Sequence, residues 1–217
     1  MLRLAVRRLT RRNGITRSPA PVLGKRNAEA LEALRQAADV LEAVGAVFWI
    51  TYGTLLGWRR RGDFLPFDDD IDIAVLSGVD TGAIKRAMLA RGFTEIEESF
   101  DRHGVIGQKF LLKDVSVEII IVTRAGDFYA DCFPVLDGSL MRSNHLCQPL
   151  RRVDFRGLGL PAPADPDAYL AHLYGPAWRD PVSRWHWIFS PYNVTGIECC
   201  LTDLPRLAWA WFRWQLG

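Results

Sequence analysis

Apolar residues return along this chain with helical spacing in some stretches and as short strand-like runs in others. Over residues 27–44, Leu31, Leu34, Ala38 and Leu41 recur at three- and four-residue steps, which marks one face of a helix. Asn27 is a candidate cap for it and Gly45 a candidate stop. Residues 46–51 (Ala-Val-Phe-Trp-Ile-Thr) read as a buried strand. Tyr52-Gly53-Thr54-Leu55-Leu56-Gly57-Trp58-Arg59-Arg60-Arg61 follows, a glycine–hydroxyl pair leading into a short helix-like segment. Gly62-Asp63 turns the chain, and Pro66 keeps the next approach extended. Residues 69–76 form a strand, Asp80 is a plausible cap for a helix over 81–91, and Gly92 ends that helix. Further strands are expected near 93–98, 105–112 and 115–122, with Lys113-Asp114 as the hairpin turn between the last two. Beyond about residue 123 the pattern weakens. Residues 156–167, rich in Gly and Pro, are expected to form a loop. Asp165 or Asp167 then opens a short helix through Tyr174, ended by Gly175.

Composition adds bounds. With 217 residues, 49% of them hydrophobic, the chain can bury one sizeable core with a smaller appended lobe. The net charge of +2 gives no bulk argument for nucleic acid, and no nucleic-acid partner is expected. Basic residues do cluster near the start (Arg3, Arg7, Arg8, Arg11, Arg12, Arg17, Lys25, Arg26), as an anionic-surface contact or, more simply, a solvated terminus. The tail over 203–216 holds Trp209, Trp211 and Trp214 with Arg206 and Arg213, and Pro205 suits its first helical turn. It reads as an interfacial membrane helix or as a helix packed on the protein body, the second being preferred. Cys132, Cys147, Cys199 and Cys200 show no metal-binding spacing and are expected as free thiols in a reducing compartment. No secretory leader and no apolar run of the roughly 18–20 residues that span a bilayer is found. A cytoplasmic protein, peripheral on the inner face of the membrane if its termini touch it, is the expectation.

The chemistry lies in residues 66–73, Pro-Phe-Asp-Asp-Asp-Ile-Asp-Ile. In an extended backbone Asp68, Asp70 and Asp72 share one face, while Asp69, Ile71 and Ile73 take the other. Like charges so placed repel unless a cation sits among them. Glu118 is the sole charge in the apolar run 115–122, costly unless paired, and an adjacent strand would bring it beside Asp70 and Asp72. Such hard oxygen ligands suit Mg²⁺ or Mn²⁺. Gly53-Thr54, at a strand-to-helix junction, is a candidate phosphate-facing turn. Arg60 and Lys109 are candidate cations for developing charge.

The ordered stretch from Tyr52 to Ile73 resembles the LicD family, which includes fukutin and fukutin-related protein and carries Gly-Thr/Ser-Leu-Leu-Gly, an Arg, then Pro-Trp-Asp-x-Asp-x-Asp. Tyr169-Leu170 and Leu173-Tyr174-Gly175-Pro176-Ala177-Trp178 look like that family's later Tyr-Leu and Tyr-Gly segment. The resemblance runs from about residue 28 to 185. It implies an α+β, nucleotidyltransferase-like fold: a mixed β-sheet flanked by helices, with a smaller C-terminal helical and loop lobe. A basic segment 1–26, a domain 27–185 and a Trp-rich extension 186–217 follow from that placement. It also implies a Mg²⁺-dependent transferase that moves phosphocholine or an alditol phosphate from a CDP-linked donor to a glycan or lipid-linked glycan, such as a cell-envelope polysaccharide. By position Asp70 and Asp72 would be the main metal ligands, Asp68 a support or base, and Arg60 the family's Arg. Phe67 replaces the usual Trp, and Glu118 replaces an Asp, as ligand or general base. Two alternatives stand: attack on the α-phosphorus of an NTP with pyrophosphate release, and a catalytically decayed nucleotide- or glycan-binding module.

Overall fold

The structure, a computed structural model, describes residue 23 and residues 27–136, 139–181, 191–199 and 201–216. The basic cluster within 3–26, Cys200 and the side chain of Trp214 lie outside the described residues. Helix α1 (Asn27–Ala43) presents Ala30, Ala33, Leu34, Ala37 and Leu41 to the core. Its alanines leave room for close approach to the sheet. Asn27 is its first residue, and the side-chain amide of Asn27 donates to Asp63 Oδ2 at 3.3 Å instead of capping. The chain continues through β1 (Phe48–Ile50), α2 (Tyr52–Arg61), β2 (Asp70–Leu76), α3 (Thr81–Ala90), β3 (Thr94–Asp101), β4 (Gly104–Leu112) and β5 (Val115–Ala125). Asp80 caps α3 by accepting from Ala83 N at 3.1 Å. Lys113 and Asp114 both take positive φ, 47° and 65°, as a two-residue hairpin turn requires.

These strands pair in the order β3-β4-β5-β2-β1, and among them only β2 and β5 run parallel. The crossover between that pair is α3, β3 and β4. Ile71 and Ile73 on β2 and Val117 and Ile119 on β5 are fully buried, as expected for a parallel pair covered on both faces. The end of β5, 123–125, pairs instead with β6 (Phe128–Leu136), which is followed by β7 (Ser139–Leu146) and β10 (Val194–Glu198) in one continuing sheet. Strands β8 (Leu150–Phe155) and β9 (Leu158–Pro163) form a separate hairpin. Helix α4 (Pro166–Tyr174) follows, capped by Asp165, and α5 (Leu204–Leu216) ends the chain. The arrangement is α+β, a mixed sheet flanked by helices.

Three expectations need correction. Residues 156–167 are not a loop throughout: 158–163 is strand β9. Arg156 and Gly157, with φ of 55° and 88°, make a tight hairpin turn, and a two-stranded hairpin leaves outward-facing positions where Pro161 and Pro163 cost no ladder bond. The C-terminal lobe is accordingly richer in strand than a helical and loop lobe, since β6 to β10 all fall after residue 127. Last, α5 does not bury Trp209, Trp211 or Phe212, which are 62%, 50% and 49% exposed. Among the described residues, no helix is long and apolar enough to cross a membrane.

Gly57 decides how α2 meets the loop that leads to β2. A Cβ there would lie 2.6 Å from Asp63 O and 2.9 Å from Leu65 N, both backbone atoms that cannot swing aside. Gly57→Ala should therefore destabilise the protein by about 1–3 kcal/mol through overpacking. Helix propensity alone would favour Ala by about 1 kcal/mol. Urea unfolding measures the sign, and a stabilised variant contradicts this packing.

Candidate functional site

The register of the parallel pair sets the site. Asp70 stands opposite Ser116, and Asp72 opposite Glu118. On the other side of β5, Lys109 of β4 stands opposite Glu118. Carboxylate oxygens of Asp70, Asp72 and Glu118 all lie within 4.8 Å of one another, and Asp68, Asp69 and Asp70 form a second such group. Lys109 Nζ lies 2.6 Å from Asp70 Oδ2 and 3.7 Å from Glu118 Oε2. Asp69, expected to face away from Asp68 and Asp70, is exposed but keeps an oxygen near both. The reason is that β2 begins only at Asp70, so strict alternation does not reach 68–69.

The junction of β1 with α2 closes the site from the side. Gly53 N donates to Asp72 Oδ2 at 2.9 Å, and Asp72 N donates to Thr54 Oγ1 at 2.9 Å. The Gly53-Thr54 turn, expected to face phosphate, thus faces Asp72: the positive N-terminal end of α2 is directed at the protein's own carboxylate. Thr54 is buried, 1% exposed, and holds β2 in place. A Cβ on Gly53 would come within 2.2 Å of Asp68 Oδ2, so any other residue there would push that carboxylate out of its place. Asp68 is steadied by its backbone, with Leu23 N donating to Asp68 O at 2.9 Å. The Arg60 guanidinium donates to the carbonyls of Trp178 and Asp180 and ties α2 to the segment after α4.

A buried polar network secures the same junction. Tyr52, the first residue of α2, has φ of 39°, a costly value for a bulky residue. Its hydroxyl donates to Asp131 Oδ2 at 2.7 Å and lies 3.1 Å from His145 Nε2. His145 Nε2 is 2.5 Å from Asp131 Oδ2, and Ser143 Oγ donates to Asp131 Oδ1. His145 Nδ1 meets the Tyr169 hydroxyl, which also accepts from Trp49 Nε1 at 3.0 Å and lies 3.0 Å from Thr51 Oγ1. With the His145 proton on Nε2, the whole chain from Trp49 to Asp131 is satisfied by one donor direction. Asp131 is held below the usual carboxylate range: burial pushes it up, but His145, Ser143 and Tyr52 outweigh that. Sequence reasoning missed Asp131, Ser143 and His145. They lie in the weakly patterned region, and the one signal was a strand whose inward positions, Ser139, Met141, Ser143 and His145, are mostly polar.

Electrostatically the site is under-compensated. Burial raises Asp68 to about 8, helped by Asp70 and Asp69, and raises Glu118 to about 7, with Lys109 pulling down and Asp70 pushing up. Asp72 is driven well above its ordinary value by burial and then by Asp70, Asp68 and Glu118. Burial disfavours the Lys109 ammonium, but Glu118 and Asp70 hold it protonated. When all three are ionised, the carboxylates of Asp70, Asp72 and Glu118 with the Lys109 ammonium leave two negative charges, the complement of a divalent ion. Asp68 Oδ2 is buried with no hydrogen-bond partner. An all-oxygen set with an unsatisfied buried oxygen beside it fits Mg²⁺ or Mn²⁺. Tyr174, noted in sequence only as part of a motif, is close enough for the Asp72 and Asp68 charges to add to burial in raising its phenol, against Arg60. Phe67 stands 92% exposed next to Asp68. A hollow of about 580 Å³ beside Trp58, Arg59 and Arg151 holds none of these carboxylates, and Arg59 in it is paired with Asp167 at 2.5 Å.

Comparisons with known proteins follow this geometry. Residues 45–165 match the family described as LicD/FKTN/FKRP, nucleotidyltransferase domain. Human ribitol-5-phosphate transferase FKTN is 26% identical over 183 residues, which is 76% of this chain and 36% of that protein. Human ribitol 5-phosphate transferase FKRP is 29% identical over 163 residues, 67% of this chain and 32% of that protein. The uncharacterized protein RP689 of Rickettsia prowazekii is 25% identical over 178 residues, 80% of this chain and 62% of that one. The chain thus spans about a third of the length of the two named transferases. Solved structures of the antibiotic-resistance factor ANT(2'')-Ia align at 13% identity with TM-scores of 0.43 and 0.45, too loosely to support a conclusion.

Two outcomes are expected. Carboxylates whose folded pKa lies above the unfolded value of about 4 make the folded state bind the extra protons. Their stabilisation is full below that value and lost as pH rises through 7 to 8, the range to which Glu118 and Asp68 are raised. Metal-free protein should therefore melt at lower temperature at pH 8.5 than at pH 6, and Mg²⁺ should stabilise it more at the higher pH. A flat metal-free profile contradicts the crowding. Separately, Tyr52→Phe leaves Asp131 and His145 short of one partner and should cost about 1–3 kcal/mol in urea unfolding; an unchanged midpoint contradicts the network.

Proposed function

The chain belongs to the LicD/FKTN/FKRP family, and on that premise we propose that it moves a phosphorylated small group, of the phosphocholine or alditol-phosphate type, from a CDP-linked donor to a glycan or lipid-linked glycan hydroxyl. The observation that carries the reading is the Asp72–Glu118 register, which gathers Asp70, Asp72 and Glu118 into one oxygen cluster beside the N-terminus of α2. The kinship with ribitol-phosphate transferases supports a phosphate-containing group as the cargo.

In this proposal Asp70, Asp72 and Glu118 would hold a divalent ion, with Asp68 in reserve. Mg²⁺ or Mn²⁺ would supply neutralisation of the donor's diphosphate and of the charge that grows on the leaving group. Gly53 and Thr54 fix Asp72 by their hydrogen bonds to its carboxylate and its backbone N–H. Lys109, already protonated between Asp70 and Glu118, contributes a second positive charge where phosphate oxygens must approach. The acceptor hydroxyl oxygen forms a bond to the distal phosphorus. The bond from that phosphorus to the bridging oxygen breaks, and CMP departs with the electron pair. Asp68, outside that ligand set and raised by burial to about 8, takes the hydroxyl proton, with Glu118 the alternative where it does not hold the ion. Arg60 acts from a distance, by fixing α2 to the segment after α4.

The test has three arms. Binding of CDP-choline, CDP-ribitol or CDP-glycerol with Mg²⁺ at about a hundred times its dissociation constant should raise the melting temperature by about 5–10 °C. Asp70→Asn should lower turnover by at least about a hundredfold while leaving a cooperatively folded protein. Product analysis should find CMP. No shift with any CDP compound, an unchanged rate for Asp70→Asn, or pyrophosphate in place of CMP would each contradict the proposal.

A further inference from the structure

Helix α5 is built unlike the rest of the molecule. It reads Leu-Pro-Arg-Leu-Ala-Trp-Ala-Trp-Phe-Arg-Trp-Gln-Leu, with no acidic residue. At 100° per residue, Arg206 and Arg213, seven apart, fall on one narrow strip, and Trp209, Phe212, Leu204 and Trp211 spread over the remaining circumference. Those four side chains are 62%, 49%, 48% and 50% exposed, and Leu201 just before the helix is 82% exposed. Trp209 and Phe212 stack on each other, 6.0 Å between centroids.

The helix is nonetheless fixed at its base. Asp203, 3% exposed, accepts from Ser139 Oγ at 2.8 Å, and its carbonyl accepts from Leu207 N at 3.0 Å. That contact attaches the first turn to the start of β7 and projects the aromatic residues outward. A contiguous apolar surface of this kind on a water-facing helix asks for a partner. Thirteen residues span only about 20 Å, too short to cross a bilayer. Trp favours the boundary where an apolar ring meets a wet, polar layer. Arg206, 3.9 Å from the Asp203 carboxylate at the helix base, and Arg213 form a basic strip with no acid along the helix itself, which complements an anionic surface.

We propose that α5 is a docking helix that lies in the headgroup layer of an anionic lipid membrane, with Trp209, Trp211 and Phe212 inserted and Arg206 and Arg213 at the phosphates. This surface lies outside the carboxylate site, so the inference stands whether or not the transferase reading does.

Sedimentation of the full chain with vesicles tests it, one set of phosphatidylcholine alone and one of phosphatidylcholine mixed with phosphatidylglycerol. The protein should partition onto the mixed vesicles in preference to the neutral ones. Trp209→Ser with Phe212→Ser should weaken that partitioning about tenfold or more, through lost apolar burial. Arg206→Gln with Arg213→Gln should remove the preference for the anionic set. Unchanged melting temperature of both variants shows that the fold is intact, and Trp211→Ser alone, in the same assay, should weaken binding in the same direction. Equal partitioning of parent and aromatic variants overturns the proposal. So does absence of vesicle binding in the parent, including the case where ultracentrifugation shows a dimer that the aromatic substitutions dissolve, which assigns the face to a second copy.

Discussion

Like charges forced together on a parallel pair of strands are the constraint on which this structure turns. The β2–β5 register puts Asp72 directly opposite Glu118 with Asp70 one step along, and strand β4 delivers Lys109 to the same place. No rotamer choice separates carboxylates that the backbone has already set side by side. Ile71, Ile73, Val117 and Ile119 fill the opposite face of the same strands, and on the carboxylate face Asp72 is buried while Asp70 and Glu118 are half-buried. What remains is to neutralise them with protons, with Lys109, or with a divalent ion. That is why the same residues read as strain when metal-free and as a binding site when a cation is present.

Much of the remaining architecture serves to hold that arrangement still. The N-terminal end of α2 reaches Asp72 through Gly53 and Thr54, and Gly53 leaves the space that Asp68 fills. The unfavourable backbone of Tyr52, immediately before, is held by a buried network that draws on β6, β7 and α4. Elements far apart in sequence therefore converge on one turn. Tyr169 belongs to the same network, which gives a physical reason for a Tyr-Leu segment roughly a hundred residues downstream of the aspartates to accompany them.

Legibility in the sequence followed the strength of local signals. The α1 face, the capped start of α3, the Lys113-Asp114 turn and the carboxylate strand could all be read, because each rests on neighbouring residues with a strong preference. Glu118 was readable because an isolated charge in an apolar run needs a partner. The β8–β9 hairpin was not, because its glycines and prolines carry a loop signature while the pairing partner lies across a turn. The Asp131–Ser143–His145 cluster was hidden for a different reason. Its residues are polar and inward-facing, so periodicity counts them as solvent-exposed. Only the fold reveals that the Thr54 hydroxyl accepts from the backbone N–H of Asp72 and that the Arg60 guanidinium donates to backbone carbonyls after α4.

The central claim is that Asp70, Asp72 and Glu118 form a divalent-cation site. Crystals grown with Mn²⁺ and a CDP compound, measured at the manganese absorption edge, test it most directly. The account predicts an anomalous peak within bonding distance of oxygens from Asp70, Asp72 and Glu118, with the diphosphate beside it and Lys109 displaced toward the phosphate. A map without that peak, in which Lys109 still bridges Asp70 and Glu118 while nucleotide is bound elsewhere, would contradict it.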